Sequence, residues 1–217
     1  RHTPGRHDRW RLLRLASLWM GGMSEFRAGR LPSEGMLCRS EIEKSAKEML
    51  HRGGWGNPDV LLVQTEAGPV VVKDFSPRSG WVRRWLGPWS LRREEQAYRH
   101  LEGLAAVPLL LGRVDELAII LEYRPGVLLS RSLRGTLPAE FLPELQTGVE
   151  DMHARGLVHL DLRHRSNVLA GEDGHPVLLD FASALRFDPT TWWGRRAVSL
   201  LGRIDLRALD KWRARLV

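Results

Sequence analysis

The chain has 217 residues, of which 43% are hydrophobic and 27% are charged, values typical of a soluble globular protein that buries a sizeable core. Its 33 Lys and Arg residues against 26 Asp and Glu residues give a net charge of +7, which favours an anionic partner without selecting a phosphorylated ligand, an acidic lipid surface or a nucleic acid. The single cysteine, Cys38, excludes an internal disulfide and a cysteine-built metal site, and it indicates a reducing compartment.

The N-terminal residues 1–40 are predicted to be a basic extension. Within them, residues 10–20 (WRLLRLASLWM) form the longest mainly apolar run. Two arginines interrupt this run, which is already too short to span a bilayer. Two interpretations stay open for this segment. It is either a basic amphipathic helix on a membrane or another protein, or a helix packed on the domain's own surface.

The first half of the chain predicts a small antiparallel sheet with an inserted helix. Alternating and β-branched patterns predict strands and a hairpin, and apolar residues at helical spacing predict helices. The predicted elements are a helix at 41–51, strands at 59–65 and 69–75 around a turn at 66–68, a basic Trp-rich loop at 77–90, a helix at 91–104, and strands at 107–114 and 116–123.

The second half, after Pro125-Gly126, predicts a mainly helical unit. Residues 138–156 carry apolar side chains on one helical face, and Gly156 is typical of a helix end. We therefore expect an α+β fold with two lobes, at residues 41–124 and 125–217, and a cleft between them.

Residues 159–181 (HLDLRHRSNVLAGEDGHPVLLDF) contain the polar residues that indicate chemistry. The pattern predicts a loop carrying Asp161, a strand that Asn167 opens, and a second strand that ends at Asp180. Neighbouring strand ends bring Asn167 and Asp180 together as hard oxygen ligands suited to Mg²⁺, and Asp161 faces the same space to orient or deprotonate a hydroxyl. Taken singly, an aspartate at a strand end is most often a turn or cap residue, and His159 is interpreted as a packed histidine that supports the loop.

Five segments in the same order resemble the protein-kinase-like superfamily. HLDLRHRSNVL is similar to its catalytic loop, LLDFASA to its magnesium-binding Asp-Phe-Gly segment, VVVKDF to the strand with the ATP-anchoring lysine, REEQAYRHLEGL to the helix whose glutamate pairs with that lysine, and LEYRPG to the adenine-binding hinge. The resemblance covers roughly residues 50–186. The short second half and the lack of a recognisable activation segment are most similar to RIO-type and bacterial lipopolysaccharide-kinase-like proteins.

The resemblance implies a role for each matching residue. Lys73 is expected to contact the α- and β-phosphates of ATP, with Glu94 as its ion-pair partner and Glu95 as the fallback. The remaining implied assignments are Asp161 as catalytic base, Arg163 beside the transferring phosphate, Asn167 and Asp180 as Mg²⁺ ligands, Gly53, Gly54 and Gly56 in the phosphate loop, and Glu122 and Tyr123 in the hinge. This set supplies the positioning and charge neutralisation that phosphoryl transfer requires.

The sequence also departs from the family pattern. Five residues, 162–166, lie between Asp161 and Asn167 where the family usually has four, and Ala182 replaces the usual glycine. The segment RGGWGNPDV lacks the full glycine-rich pattern, and nothing downstream resembles the Ala-Pro-Glu element of peptide kinases. These departures favour a second hypothesis beside the first, an ATP-binding pseudokinase or scaffold.

Two Trp-Arg segments admit two interpretations. Trp81, Trp85 and Trp89 alternate with arginines, and a second cluster follows at 192–196. Both segments are explained either by packing within the fold or by contact with an anionic membrane.

We therefore predict an ATP- and Mg²⁺-dependent phosphotransferase acting on a hydroxyl of a protein Ser/Thr or of a sugar or glycolipid. Its expected location is the cytoplasm, with a peripheral contact at the inner membrane face left open. A nucleic-acid partner is not expected, because it leaves the polar residues of the cleft unexplained.

Overall fold

The computed structural model describes residues 37–217, so the prediction for residues 10–20 lies outside the described part. The helices are α1 (Arg39–Lys44), α2 (Gly87–His100), α3 (Phe141–Ala154) and α4 (Trp192–Leu216). The strands are β1 (Lys47–His51), β2 (Asp59–Thr65), β3 (Gly68–Asp74), β4 (Leu110–Asp115), β5 (Ala118–Glu122), β6 (Gly126–Leu128), β7 (Leu157–Val158), β8 (Val168–Gly171), β9 (Pro176–Leu178) and β10 (Leu185–Arg186).

The first half folds as a five-stranded antiparallel sheet with the order β1-β2-β3-β5-β4. The predicted hairpin is confirmed, since β2 pairs with β3 from Asp59↔Asp74 to Thr65↔Gly68. Gly68 has a φ of +115°, a conformation that glycine adopts without the steric cost of a side chain. The strands predicted on either side of Asp115 are also confirmed, as β4 and β5.

The helix predicted at 41–51 is wrong in its second half. Helix α1 ends at Lys44, because Ser45 turns to an extended conformation with its N–H still bonded to Glu41 O. The chain then continues as edge strand β1, which pairs with β2. All five β1 side chains are exposed. The segment therefore lacks the regular alternation of apolar and polar residues by which a half-buried strand is predicted from sequence.

The loop predicted at 77–90 is also wrong. Residues Val82–Leu86 form a π-helical turn that continues directly into α2 at Gly87. Pro88 follows this turn inside the continuous helical run, and it is buried. Gly87 packs so closely on Phe75 that a Cβ atom there would lie 2.8 Å from Phe75 Cγ. The glycine and proline that suggested a loop therefore serve helix packing.

The second half contains two long helices and short strands. The helix predicted at 138–156 is confirmed as α3, and Gly156 follows it with a φ of +81°. Strands β6, β8 and β9 form one small sheet, and β7 pairs with β10. Helix α4 packs on α3 and on β7.

One continuous hydrophobic core joins the two halves. It includes Phe75, Leu91 and Tyr98 from the first half and Phe181 and Trp212 from the second, all nearly inaccessible to solvent. The predicted α+β class is confirmed, and the elements are consistent with a small kinase-like arrangement of two lobes. Within residues 37–217, no helix is long and apolar enough to cross a membrane.

Candidate active site

A buried ion-pair triad joins the sheet, helix α2 and the segment after β9. The Lys73 Nζ atom lies 2.5 Å from Glu94 Oε1 and 3.2 Å from Asp180 Oδ1. Strand β3 fixes Lys73 between β2 and β5, opposite Val60 and Ile119. Lys73 and Glu94 are only 8% and 2% exposed, so their charges have little water around them and depend on each other.

The Lys73 ammonium and the Asp180 carboxylate stabilise each other, whereas burial raises the pKa of Glu94 against the opposing charge of Lys73. Burial alone lowers the pKa of Lys73, but the carboxylates of Glu94 and Asp180 outweigh it and raise that pKa. Burial also opposes the charge of Asp180, yet the Lys73 ammonium holds the pKa of Asp180 below its usual range. Lys73 is therefore an ammonium and Asp180 a carboxylate at neutral pH, ready to meet an anionic ligand and a cation, respectively.

The neighbouring carboxylate, Glu95, points away from the triad. It pairs with Arg99 one turn later on α2 and with Arg113 on β4, each at 2.6 Å. Adjacent positions on a helix lie about 100° apart, so only one of the two glutamates faces Lys73. The structure places Glu94 there, and the fallback residue Glu95 instead holds α2 against the sheet.

The loop between β7 and β8 holds Asp161 and Asn167 in direct contact. Asn167 Nδ2 donates to the backbone carbonyl and to Oδ2 of Asp161, both at 2.9 Å. Asn167 also accepts through its backbone carbonyl from Leu179 N–H, which places it next to Asp180 in the neighbouring segment. The loop thus brings together the three polar residues that the sequence singled out in the second half.

Two residues of this region have a left-handed backbone. Leu160 has a φ of 70° and Asp180 a φ of 63°, a conformation that costs a side-chain-bearing residue free energy. Such strain persists only where surrounding contacts fix it. Leu160 directly precedes Asp161, whose carboxylate accepts from Asn167, and the Asp180 carboxylate lies 3.2 Å from Lys73 Nζ.

His159 is a supporting residue in the structure. Its Nδ1 accepts from Asp161 N–H at 3.4 Å, so Nε2 carries the proton and donates to Leu179 O at 2.9 Å. Burial lowers the pKa of His159, and the ring is therefore neutral at neutral pH. It links the Asp161 loop to the segment that leads into Asp180.

Asp205 on α4 is a supporting residue that the sequence reasoning missed. Its carboxylate is fully buried and accepts from the backbone N–H groups of His159 and Leu160, both at 2.8 Å, and contacts His153 Nε2 at 2.9 Å. Trp212, two turns later, donates through Nε1 to Leu162 O at 2.9 Å. Helix α4 thus holds the backbone on both sides of Asp161.

The glycine-containing loop between β1 and β2 is engaged with protein groups. Gly53 N–H donates to the buried carboxylate of Asp59 at 2.8 Å. Arg78 pairs with Asp59 and donates to the carbonyls of Gly53 and Gly54. A Cβ atom at Gly54 would meet no other atom within 4 Å. Gly56 lies against the side chain of Leu86.

The predicted hinge and Arg163 lie at the edges of this region. Glu122 ends β5, where its side chain accepts from Leu109 N–H at 3.0 Å and pairs with Arg124 at 2.8 Å. Tyr123 is half-buried, and that burial raises the pKa of its phenol. Arg163 is exposed on the loop between β7 and β8.

The donor set suits Mg²⁺ held jointly with phosphates. Asp180 offers a carboxylate oxygen 3.2 Å from the Lys73 ammonium, and Asn167 offers an amide oxygen that accepts from Ser166 Oγ at 2.8 Å. Within residues 37–217, no group of three His, Cys, Asp or Glu side chains forms a metal cage by itself. Mg²⁺ in phosphoryl-transfer sites is bound through one or two protein oxygens plus water and substrate phosphates, so these residues fit that ion.

No protein-family model matches the chain. It is 38% identical over 73 residues to the serine/threonine-protein kinase RIM15 of Saccharomyces cerevisiae, a match covering 31% of this chain and 4% of that protein. It is also 25% identical over 150 residues to the serine/threonine-protein kinase C of Synechocystis sp., covering 62% of this chain and 28% of that protein.

These similarities support a distant relationship to serine/threonine protein kinases and, coarsely, a kinase-like enzyme. The chain spans less than a third of the length of either relative. The activities, substrates and partners of those whole proteins are therefore proposals for this chain.

Proposed function

We propose that the protein is a phosphotransferase that moves the γ-phosphate of Mg²⁺-bound ATP to a hydroxyl group. The observation that carries this proposal is the buried Lys73 ammonium held between the carboxylates of Glu94 and Asp180. A buried ammonium whose pKa is raised is a fixed positive charge, which suits binding of a triphosphate. Its second carboxylate, Asp180, provides the link to a metal ion.

Each residue then has a role in the transfer. Lys73 holds the α- and β-phosphates, and Glu94 keeps Lys73 in position. Asn167 and Asp180 hold the metal ion, which when bound neutralises charge on the phosphates. Asp161 orients the acceptor hydroxyl and receives its proton as the acceptor oxygen bonds to phosphorus and the bond to the ADP oxygen breaks. Arg163 neutralises charge on the transferring group.

The nucleotide base occupies the region beside Glu122 and Tyr123 in this proposal, and the phosphate loop includes Gly53, Gly54 and Gly56. The acceptor is a protein Ser/Thr or a sugar or glycolipid hydroxyl. Within the kinase-like class we place the chain beside RIO-type and lipopolysaccharide-kinase-like proteins. The short connection of residues 181–191 between Asp180 and α4 supports this placement, because it leaves little chain for an activation segment.

Thermal unfolding with ATP, with and without Mg²⁺, and transfer of radiolabelled phosphate to a cell extract test this function. We expect a higher melting temperature with ATP and Mg²⁺ together than with ATP alone, since ligand binding stabilises the folded state. We also expect a labelled acceptor, whose chemistry distinguishes protein from glycolipid. A protein that neither binds the Mg²⁺–ATP complex nor labels an acceptor contradicts the proposal.

The second candidate is an ATP-binding scaffold that transfers no phosphate. The engagement of Gly53 N–H by Asp59, with Arg78 bound to the loop carbonyls, favours it, because that N–H does not face a phosphate. Stabilisation by ATP with no labelled acceptor would favour the scaffold over the enzyme.

We also propose a peripheral contact with anionic membrane, at a cytoplasmic face consistent with the single cysteine. The rings of the Trp-Arg segments are largely exposed, although Trp81 stacks on Trp55 at 5.8 Å. Trp192 and Trp193 stack on each other at 3.7 Å and are 53% and 67% exposed, with Arg195 and Arg196 beside them. Exposed aromatic residues next to arginines suit the headgroup region of an anionic bilayer.

Vesicle sedimentation tests the membrane contact. We expect the full chain to sediment with phosphatidylserine-containing vesicles and much less with phosphatidylcholine alone, and Trp192→Ser/Trp193→Ser to lose more than about half of the bound fraction. The variant replaces only exposed tryptophans and keeps the buried Trp212 of the same helix, so we expect the core to stay intact. Equal sedimentation with both vesicle types would end this part of the proposal.

A further inference from the structure

Three elements meet on one side of the protein: the Asp161 loop, the turn that follows β6 and the end of α4. Trp212 on α4 binds the loop through Leu162 O at 2.9 Å. The turn that follows β6 reaches the same end of the helix, since Gly135 N–H donates to Leu216 O and Arg134 donates to Val217 O. Side chains from the loop, the turn and the last turns of α4 therefore share one surface next to the proposed site of transfer.

Each of these elements contributes a cation to that surface. We define the cationic cluster as Arg131 on the turn, Arg163 next to Leu162, and Lys211 and Arg215 on either side of Trp212. The Arg215 guanidinium lies over the Trp212 ring, 5.4 Å from its centroid. Partial burial and the charges of Arg215, Arg163 and Arg131 together lower the pKa of Lys211, as expected where like charges lie close together.

The cluster is not neutralised by the surrounding protein. Within residues 37–217, no carboxylate comes within ion-pair distance of any of its four members. The adjacent carboxylate on α4, Asp210, instead pairs with Arg213. Lys211 and Arg215 are also one helical turn apart, a spacing at which like charges destabilise a helix. An anion from outside the protein relieves this repulsion.

The spacing of the cations suits an extended peptide. Side chains four positions apart on a helix lie about 5–6 Å apart, while successive residues of an extended chain advance about 3.3 Å. Lys211 and Arg215 thus match alternate residues of a strand-like ligand, and Arg131 and Arg163 extend the contact over two other elements. Four positive charges exclude a basic peptide from the same surface through repulsion.

We propose that the cationic cluster binds acidic or phosphorylated residues that flank the acceptor Ser or Thr of a protein substrate. This inference rests on the proposed function, because it names the acceptor class for the same transfer. It assigns the recognition of the flanking acidic or phosphorylated residues to Arg131, Lys211 and Arg215, which lie outside the Lys73–Glu94–Asp180 triad.

Fluorescence anisotropy of the full chain with labelled peptides tests the inference without needing catalysis. The peptides share one central Ser and are flanked by Asp and Glu, by phosphoserine, by Ala, or by Lys and Arg. We expect the two anionic peptides to bind at least about 10-fold more tightly than the basic one at low salt, and the difference to shrink as salt is added. The Asp/Glu and phosphoserine arms separate the two sources of negative charge, and tight binding of either supports the inference.

Charge-reversal variants locate the binding surface. Lys211→Glu and Arg131→Glu, the second on an exposed turn that the fold tolerates, are expected to reduce the anionic preference to within about 2-fold. The matched control is Arg203→Glu, an exposed arginine eight residues earlier on the same helix and about 12 Å away along its axis. Equal binding of anionic and basic peptides, or an equal loss in the control variant, overturns the inference.

Phosphate transfer to the same peptides separates this inference from the proposed function. If the anionic peptides bind selectively but receive no phosphate, the cluster is supported as a binding site and the proposed transferase activity is contradicted. If all peptides receive phosphate without a charge preference, the transferase activity is supported and the proposed role of the cluster is overturned.

Discussion

Asp180→Ala is expected to lower Mg²⁺-dependent ATP turnover by more than about 100-fold, because even the loss of a group that only supports a metal ligand costs 10–100-fold. Asp180 contributes a carboxylate 3.2 Å from the Lys73 ammonium, and the pKa of that carboxylate is lowered, so it is charged where a metal ion is needed. Initial rates of ATP turnover over a range of Mg²⁺ concentrations measure the effect.

The fold should survive this change, since Lys73 keeps Glu94 as its partner at 2.5 Å. Alanine nevertheless carries an added cost, because position 180 has a φ of 63° and an alanine in that conformation costs about 1–2 kcal/mol. Asp180→Asn is the sharper variant, as asparagine tolerates the left-handed backbone and loses only the charge. We expect the same loss of turnover with less loss of stability.

Asp151→Ala provides the control for Asp180→Ala. Asp151 is an exposed aspartate on α3, and its replacement removes one negative charge without touching the cleft. We expect turnover within about 2-fold of the original protein, since surface substitutions usually change the free energy by less than 0.5 kcal/mol. Unchanged turnover in both Asp180 variants would reject Asp180 as a metal ligand.

The residues of the proposed site were accessible from sequence because each lies in a local pattern. Lys73 lies within a β-branched strand, and Asn167 and Asp180 border two short apolar runs joined by a turn with two glycines. Strand pairing then determines which of them approach each other, as Leu179 N–H on Asn167 O shows. Asn167 and Asp180 were predicted together from this pattern, whereas Lys73 was singled out by the resemblance of VVVKDF to the lysine-bearing strand of kinases.

The helical run before α2 was missed because two signals conflicted. Trp81, Trp85 and Trp89 recur every four residues, which is the spacing of a helix face, but that face is exposed instead of buried. Gly80, Gly87 and Pro88 argued for a loop. The close approach of Gly87 to Phe75 is a tertiary contact, and no local pattern contains it.

The sequence pattern around Asp205 could have been used to predict that this residue is buried. It occupies the buried face of α4 together with Gly202, Leu209 and Trp212, so it is an acidic residue at a core position of an amphipathic pattern. A buried carboxylate requires hydrogen-bond donors. Its actual donors, at His159 and Leu160, lie about 45 residues earlier in the chain, and sequence alone does not connect them.

Asp205→Ala is expected to reduce the free energy of unfolding by about 3–5 kcal/mol, the range found when one partner of a buried charged network is removed. The substitution leaves two buried backbone N–H groups, at His159 and Leu160, without an acceptor, and it removes the partner of His153. Since domains of this size are stable by only about 5–15 kcal/mol, this loss is a large part of the total. Urea denaturation followed by circular dichroism measures it.

The same substitution separates support from chemistry at the proposed site. Leu160 holds a left-handed backbone directly before Asp161, and the Asp205 carboxylate fixes its N–H at 2.8 Å. Without that contact, we expect the strain at Leu160 to relax and Asp161 to lose its orientation, so that phosphate transfer falls while ATP binding at Lys73 is retained. Asp210→Ala, on the same helix but exposed and paired only with Arg213, should cost less than about 0.5 kcal/mol. An Asp205 variant no less stable than the Asp210 variant would show that the contacts of α4 do not hold the Asp161 loop.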